Sequence, residues 1–182
     1  TTGPNGDFNN DGYNDLIVLK KTFVDEDDYS YNTTIMIFYG SSSGLSNSPG
    51  WTKEYQNRQP YNFQVTGLGD VNGDGYDDLL VSDENYYTNN SSNRGFLTVF
   101  YGSSSGLSSN FNWSFQANST YRSLGSSSGS YGPSIAAGGD VNGDGYDDIV
   151  LACSFNYQGS SYTPSVIAFF GNSTSITFLT NL

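Results

Sequence analysis

Three short acidic segments carry the residues whose chemistry is most specific in this sequence. Residues 7–15 read DFNNDGYND, and residues 70–78 and 140–148 both read DVNGDGYDD. In each segment, oxygen-bearing side chains occupy positions 1, 3, 5 and 9, and a glycine at position 6 permits a sharp turn. Hard cations such as Ca²⁺ take six to eight oxygen ligands, so this spacing predicts one calcium ion in each segment.

The expected ligands are four side chains of each loop and the backbone carbonyl of the tyrosine at position 7. They are Asp7, Asn9, Asp11, Tyr13 and Asp15 in the first loop, Asp70, Asn72, Asp74, Tyr76 and Asp78 in the second, and Asp140, Asn142, Asp144, Tyr146 and Asp148 in the third. An EF-hand would need a glutamate at position 12, where the sequence has Val18, Val81 and Leu151. Metal-free turns of Asn, Gly and Asp are the alternative. Three carboxylates within nine residues, in three copies, favour calcium because they would repel one another without a cation.

Composition argues against most other chemistries. The chain has no histidine and a single cysteine, Cys153, which disfavours zinc sites and histidine-based acid–base catalysis. The formal net charge of −12 argues against nucleic acid and anionic membrane surfaces as partners. The apolar stretches are only as long as strands, so we expect no membrane insertion. Acidic pairs such as Asp77 and Asp78 resemble glycosidase carboxylates, but the repeat explains them better, and we expect no catalytic residue.

The elements that position the acidic loops follow from an internal repeat of about 60–70 residues. Each loop leads into an apolar stretch, then a variable polar loop, then a strand that ends in Tyr-Gly or Phe-Gly. A strand led by tryptophan follows in the first two units, at Trp51 and Trp113, and a further strand enters the next acidic loop. Four short antiparallel strands per unit are typical of a propeller blade. We therefore predict an all-β fold of three four-stranded blades, in units of about 1–69, 70–139 and 140–182, with the last one truncated.

The run GDVNGDGYDDLLV at residues 69–81, followed by VFYGSSSGLS at residues 99–108, resembles the FG-GAP repeat of integrin-α-like β-propellers. The resemblance implies structural calcium in the hairpin between the first two strands of each blade, with ligands met elsewhere on the propeller. Propellers of that family typically close with about seven blades, and three units cannot close a ring. We expect either a piece of a longer protein or strands completed by another subunit, in a ring or a head-to-tail filament.

These features predict a non-enzymatic, calcium-stabilised, secreted or cell-surface module that acts in self-assembly or adhesion. Its expected partners are other copies of itself or other extracellular proteins and glycans. The alternative is a carbohydrate-binding module that uses aromatic side chains of the variable loops. These side chains are Tyr29, Tyr31, Tyr86, Tyr87, Tyr157 and Tyr162. Sequons for N-glycosylation, about as many as chance predicts, occur at Asn32, Asn89, Asn90, Asn112, Asn118 and Asn172.

Overall fold

The computed structural model describes residues 6–25, 30–58, 63–83, 95–116, 121–122, 135–157 and 161–178. The regular structure in these ranges consists of antiparallel β-strands, which confirms the predicted all-β class. The strands form three sheets, and each sheet carries one acidic loop at one end. Within the same ranges, no helix has the length and hydropathy needed to cross a bilayer.

Sheet 1 is formed by three strands in the order in which they occur in the chain. They are β1 (Leu16–Asp25), β2 (Ser30–Phe38) and β3 (Trp51–Arg58). Before the first acidic loop, the described residues contain one antiparallel bridge, between Gly6 and Asp15. The alternating side chains Ile35 and Ile37 of β2 are fully buried, as the period of two in a strand requires.

Sheet 2 is the complete four-stranded blade. Its strands are β4 (Phe63–Gly69), β5 (Asp78–Asp83), β6 (Phe96–Phe100) and β7 (Trp113–Gln116), paired in that order. The second acidic loop joins β4 to β5, and the two strands pair from Phe63 opposite Asp83 to Gly69 opposite Asp78. The loop therefore lies at the closed end of a hairpin between the first two strands of the blade.

Sheet 3 has the same hairpin and a very short last strand. Its strands are β8 (Tyr121–Arg122), β9 (Ile135–Gly139), β10 (Asp148–Tyr157), β11 (Ser161–Phe170) and β12 (Thr177–Phe178). Strands β8 and β9 both pair with β10, which pairs on its other side with β11, and β11 with β12.

The cores lie between successive sheets rather than within them. On β5, Leu79 and Val81 pack into a cluster with sheet 1, whereas Leu80 packs into a cluster with sheet 3. Trp51 belongs to the first cluster and Trp113 packs against the second, as expected for residues at one repeat position. The sheets thus stack face to face like neighbouring propeller blades, in an open row of three.

Candidate metal centre

The three acidic loops turn in the same way. We call them loop 1 (residues 7–15), loop 2 (residues 70–78) and loop 3 (residues 140–148). The glycine at position 6 has a positive φ in every copy, 87° at Gly12, 91° at Gly75 and 92° at Gly145. Residues with a side chain rarely adopt this conformation, so the expected role of glycine in the turn is confirmed.

The aspartate at position 1 organises the backbone of its own loop. In loop 2, Asp70 Oδ1 accepts hydrogen bonds from the amides of Gly73 at 2.7 Å and Asp74 at 3.0 Å. Its Oδ2 accepts from the amide of Gly75 at 2.7 Å. Asp140 accepts the same three hydrogen bonds in loop 3. In loop 1, Asp7 accepts hydrogen bonds from the amides at positions 5 and 6. One carboxylate therefore holds the tip of each loop in place.

Positions 3 and 5 continue this pattern. The Oδ1 atom of Asn72 accepts from the amide of Asp74 at 2.9 Å, and Asn72 Nδ2 donates to Asp74 Oδ2 at 2.9 Å. Asp74 Oδ1 accepts in turn from the amide of Tyr76 at 3.1 Å. Loops 1 and 3 have the same contacts. The side chains at positions 3 and 5 are thus hydrogen-bonded to each other, on an exposed turn whose amides also donate to position 1.

The aspartate at position 9 is buried and ties the loop to a second motif of the blade. Asp78 Oδ2 accepts from the amide of Val71 at 3.0 Å, and its Oδ1 accepts from the amide of Gly102, in the Tyr-Gly motif, at 2.9 Å. Asp15 and Asp148 make the corresponding pairs of bonds to loops 1 and 3 and to the glycines after β2 and β11. We call this arrangement the clamp. It explains why the acidic loop and the Tyr-Gly or Phe-Gly motif repeat in step.

Burial of two clamp carboxylates, Asp15 and Asp78, disfavours their charged form. Burial raises the pKa of Asp78 to about 8, although the two amide hydrogen bonds act in the opposite direction. Burial likewise raises the pKa of Asp15, and the nearby charges of Asp7 and Asp11 add to the effect. A cation bound beside these groups would favour their ionised form.

In the described ranges, no three or more Asp, Glu, Cys or His side chains are gathered closely enough to hold a metal ion. The donor set nevertheless fits Ca²⁺ chemically, since it consists of carboxylate and amide oxygens supplied by a short loop. Each carboxylate has about four lone-pair sites, so one that accepts two or three amide hydrogen bonds can still bind a cation. The residues that would hold the ion are those at positions 1, 3, 5 and 9, with the carbonyl at position 7.

Tyr146, at position 7 of loop 3, lies at the junction with loop 2. A Cβ atom built on Gly73 of loop 2 would collide with the ring of Tyr146, so this ring covers the backbone of the neighbouring loop. Tyr13 of loop 1 is exposed, in a position where the structure describes no preceding loop. The amides of Tyr13, Tyr76 and Tyr146 all donate to the aspartate at position 5.

Two further loop positions carry structural roles that the sequence analysis missed. At position 8, Asp77 and Asp147 bond to the preceding loop: Asp77 Oδ2 accepts from the amide of Asp7 at 2.7 Å, and Asp147 Oδ2 from that of Asp70 at 2.9 Å. Burial raises the pKa of Asp147, and the carboxylates of Asp77, Asp70 and Asp140 raise it further. The identical Asp-Asp pairs at the ends of loops 2 and 3 were the available signal.

The second missed position is position 2, whose side chain in loops 1 and 2 packs into the interface with the following sheet. Phe8 of loop 1 and Val71 of loop 2 are fully buried in the two core clusters. Val141 occupies the same position in loop 3 and is 53% exposed. The apolar character shared by these three residues was the signal for a packing role.

The predicted sugar-contacting tyrosines and glycosylation sites are only partly described. Tyr31 lies on β2 with its ring edge-on to Phe23, and Tyr157 and Tyr162 lie on paired strands. Among the sequons, Asn32 lies on β2, and Asn112 and Asn172 lie in loops, where their Oδ1 atoms accept hydrogen bonds. The remaining predicted residues fall outside the described ranges: Tyr29, Tyr86, Tyr87, Asn89, Asn90 and Asn118.

Family models match most of the chain. One described as an FG-GAP-like repeat matches residues 7–81, and one described as an FG-GAP repeat matches residues 63–100 and 131–163. The chain belongs to the FG-GAP repeat family. The matched segments of this FG-GAP chain include all three acidic loops.

The curated relatives of this FG-GAP chain include integrin α subunits. Integrin alpha-PS5 of Drosophila melanogaster is 34% identical over 83 residues, which are 42% of this chain and 8% of the relative. Integrin alpha-IIb of Mus musculus is 34% identical over 80 residues, 43% of this chain and 7% of the relative. Integrin alpha-3 of Mus musculus is 33% identical over 102 residues, 56% of this chain and 9% of the relative. The chain thus spans less than a tenth of the length of these relatives.

Proposed function

We propose that this chain is a non-enzymatic, extracellular, adhesion-related propeller module that calcium stabilises, with one ion in each acidic loop. The observation that carries the proposal is the shared geometry of the three loops, in which the side chains at positions 3 and 5 contact each other and the carboxylate at position 1 accepts amides of the same turn. When bound, the ion would supply positive charge among these oxygens. Three Ca²⁺ ions would halve the formal net charge of −12.

The similarity to integrin α subunits supports a role at the cell surface. The absence of histidine from the whole chain supports a non-enzymatic role.

Calorimetric titration with calcium tests the metal sites directly. The expected stoichiometry is three ions per chain, and Asp11→Ala, Asp74→Ala and Asp144→Ala should each remove one. Glu54→Ala is the matched control, because Glu54 is an exposed acid on β3, outside the loops. A chain that binds no calcium, or position-5 variants that behave like Glu54→Ala, would contradict the proposal.

The free face of sheet 3 supports assembly with a further blade. Val141 is 53% exposed, whereas Phe8 and Val71 at the same repeat position are buried by the next sheet. Val166 of β11 is 56% exposed, whereas Leu97, five residues before the corresponding glycine, is fully buried in sheet 2. This face therefore presents the residues that sheets 1 and 2 bury against their neighbours.

The free face of sheet 1 supplies the complementary surface. Leu45 is 50% exposed, but its counterparts Leu107 and Ile176 are buried against the preceding sheet. The amide of Leu107 also donates to the Tyr39 hydroxyl at 3.2 Å, which links sheet 2 to sheet 1. We propose that the face of sheet 3 in one copy takes the face of sheet 1 in the next, in a ring or a head-to-tail filament.

Light scattering tests this assembly. We expect species larger than one chain in calcium and their loss in excess EGTA. Val141→Arg and Leu45→Arg should each give monomers, because a charge would be buried at the junction. Phe111→Arg, at an exposed apolar residue on neither face, is the control. A compact monomer with and without calcium would contradict self-assembly but not calcium binding.

A cleft between sheets 1 and 2 favours carbohydrate binding as a second candidate function. It encloses about 180 Å³ and is lined by Tyr55, Phe96 and Phe111 together with the polar side chains of Lys53 and Asp83. Aromatic rings beside charged groups suit a single sugar ring, which stacks on the former and hydrogen-bonds to the latter. A glycan array with the wild type and Phe111→Ala tests it, and no bound glycan would remove this candidate.

A further inference from the structure

Each junction between acidic loops contains the same pair of hydrogen bonds. At the junction of loops 2 and 3, the amide of Asp70 donates to Asp147 Oδ2 at 2.9 Å, and the amide of Asp147 donates to the Asp70 carbonyl at 3.1 Å. At the junction of loops 1 and 2, Asp77 makes the same two bonds to Asp7, at 2.7 Å and 3.3 Å. We call each pair a loop bridge.

The loop bridges join residues that belong to two predicted metal sites. Asp70 is position 1 of loop 2, and its carboxylate accepts three amides of that loop. Asp147 lies between Tyr146 and Asp148, which are positions 7 and 9 of loop 3. An ion that orders loop 3 would therefore order Asp147, and through the bridge it would order the first residue of loop 2.

The chain itself offers an internal comparison for position 8. Loops 2 and 3 each have a preceding loop, and both carry aspartate at this position, Asp77 and Asp147. Loop 1 carries Asn14, which is exposed, and the described ranges contain no loop before it. Aspartate thus occurs at position 8 in the two loops that have a described preceding loop to bond to.

We propose that Asp77 and Asp147 are positioning residues that couple calcium binding between adjacent loops, so that an ion in one loop strengthens binding in the next. This inference rests on the proposed function, because it requires that the loops bind calcium. Ordering one end of the bridge lowers the cost of ordering the other end, which gives positive cooperativity. The carboxylate at the junction would also offset part of the repulsion between cations bound in adjacent loops. Coupling of this kind is reciprocal, so loop 2 should strengthen loop 3 by the same factor.

A double-mutant cycle on the full chain tests the coupling. Asp144→Ala disables loop 3, and calcium binding at loop 2 is followed through the backbone amide resonance of Gly75, which donates to Asp70. We expect Asp144→Ala to weaken calcium binding at loop 2 by about fivefold or more. When Asp147→Ala is already present, Asp144→Ala should change this affinity by less than about twofold.

Asn14→Ala is the matched control, because Asn14 holds position 8 in a loop with no described predecessor. It should leave the calcium affinities of loops 2 and 3 unchanged. Far-UV circular dichroism establishes that each variant folds. If Asp147→Ala fails to fold, Asp77→Ala with loop 2 disabled by Asp74→Ala gives the same test at loop 1, read at Gly12.

The outcomes separate this inference from the proposed function. A chain that binds calcium but whose loops titrate independently, with the same loop 2 affinity in Asp144→Ala as in the wild type, overturns the coupling alone. A chain that binds no calcium overturns both. Coupling that persists unchanged in Asp147→Ala shows that the loop bridge does not carry it, and also overturns the inference.

Discussion

Loops 2 and 3 have identical sequences but different surroundings. Val71 of loop 2 is fully buried, whereas Val141 of loop 3 is 53% exposed. The clamp does not differ in this way, since Asp78 and Asp148 are both fully buried and bond to corresponding amides. The clamp is therefore a property of one blade, whereas burial at position 2 depends on the sheet that follows.

The largest expected effect concerns the clamp, in which loops 2 and 3 agree. In calcium-free buffer, Asp78→Ala and Asp148→Ala should each lower the free energy of unfolding by roughly 2–6 kcal/mol, because each leaves two amide donors without an acceptor. Urea unfolding measures the change, with Glu54→Ala as the control. If either substitution lowers the free energy of unfolding no more than Glu54→Ala does, the described clamp is contradicted.

The next effect concerns glycines at the same position of the two loops. Gly73 and Gly143 both have positive φ values, 75° and 78°. Replacement by alanine should therefore cost about 1–2 kcal/mol at each. Gly73→Ala should cost a further 1–3 kcal/mol or so, because its methyl group collides with the Tyr146 ring, whereas Gly143 has open space. Equal urea midpoints for the two variants would contradict the described junction of loops 2 and 3.

A smaller effect tests the position at which the loops differ. Val71→Ala removes two buried methyl groups and should lower the free energy of unfolding by about 2 kcal/mol. The same substitution at Val141 should change it by less than about 0.5 kcal/mol in the monomer. Urea unfolding of both variants under monomeric conditions makes the measurement. Similar losses at both positions would show that a further surface covers Val141.

The smallest effect, when taken per pH unit, is a pH dependence of the calcium-free protein. Burial raises the pKa of Asp78 from 3.8 to about 8 in the folded chain, so the folded state binds this proton more tightly than the unfolded state does. The resulting stability is fully present below pH 3.8 and is lost as the pH rises through 8.

Between pH 6 and 8 the free energy of unfolding should therefore fall by the order of 1 kcal/mol per pH unit. The chain has no histidine that would titrate in this window. Asp78→Asn should remove the dependence, and stability that rises over the same range in the wild type would contradict its assignment to Asp78.

The repeat made most of the fold predictable from the sequence. Short apolar stretches after the acidic loops located the central strands, and the acidic loop and the Tyr-Gly or Phe-Gly motif, repeating in step, identified the blade. The stacking of the sheets did not follow from these patterns. Val71 and Val141 stand in identical sequences, and their burial differs only because the sheet beside each of them differs. In the described residues, one bridge at Gly6 precedes loop 1, in the place where β4 and β9 precede loops 2 and 3.

The position of the acidic turns was predictable from the sequence, whereas the contacts that hold them were not, and the calcium ligands stay a prediction. Oxygen donors at positions 1, 3 and 5 lie together on the turn, as the spacing indicates. The buried contacts of Asp78 with Val71 and Gly102 were not foreseen, since Gly102 is distant in the sequence and only the fold brings it close. The loop bridges of Asp77 and Asp147 were not predicted either, because they join residues that are distant in the sequence.

Thermal unfolding with saturating calcium and with excess EGTA tests the central claim that the acidic loops are calcium sites that stabilise the fold. A ligand that binds only the folded state at about 100 times its dissociation constant adds about 2.7 kcal/mol per site. We therefore expect a clearly higher Tm in calcium, and a smaller difference in variants that lack one loop aspartate such as Asp74. Coincident melting curves in calcium and EGTA would contradict the account.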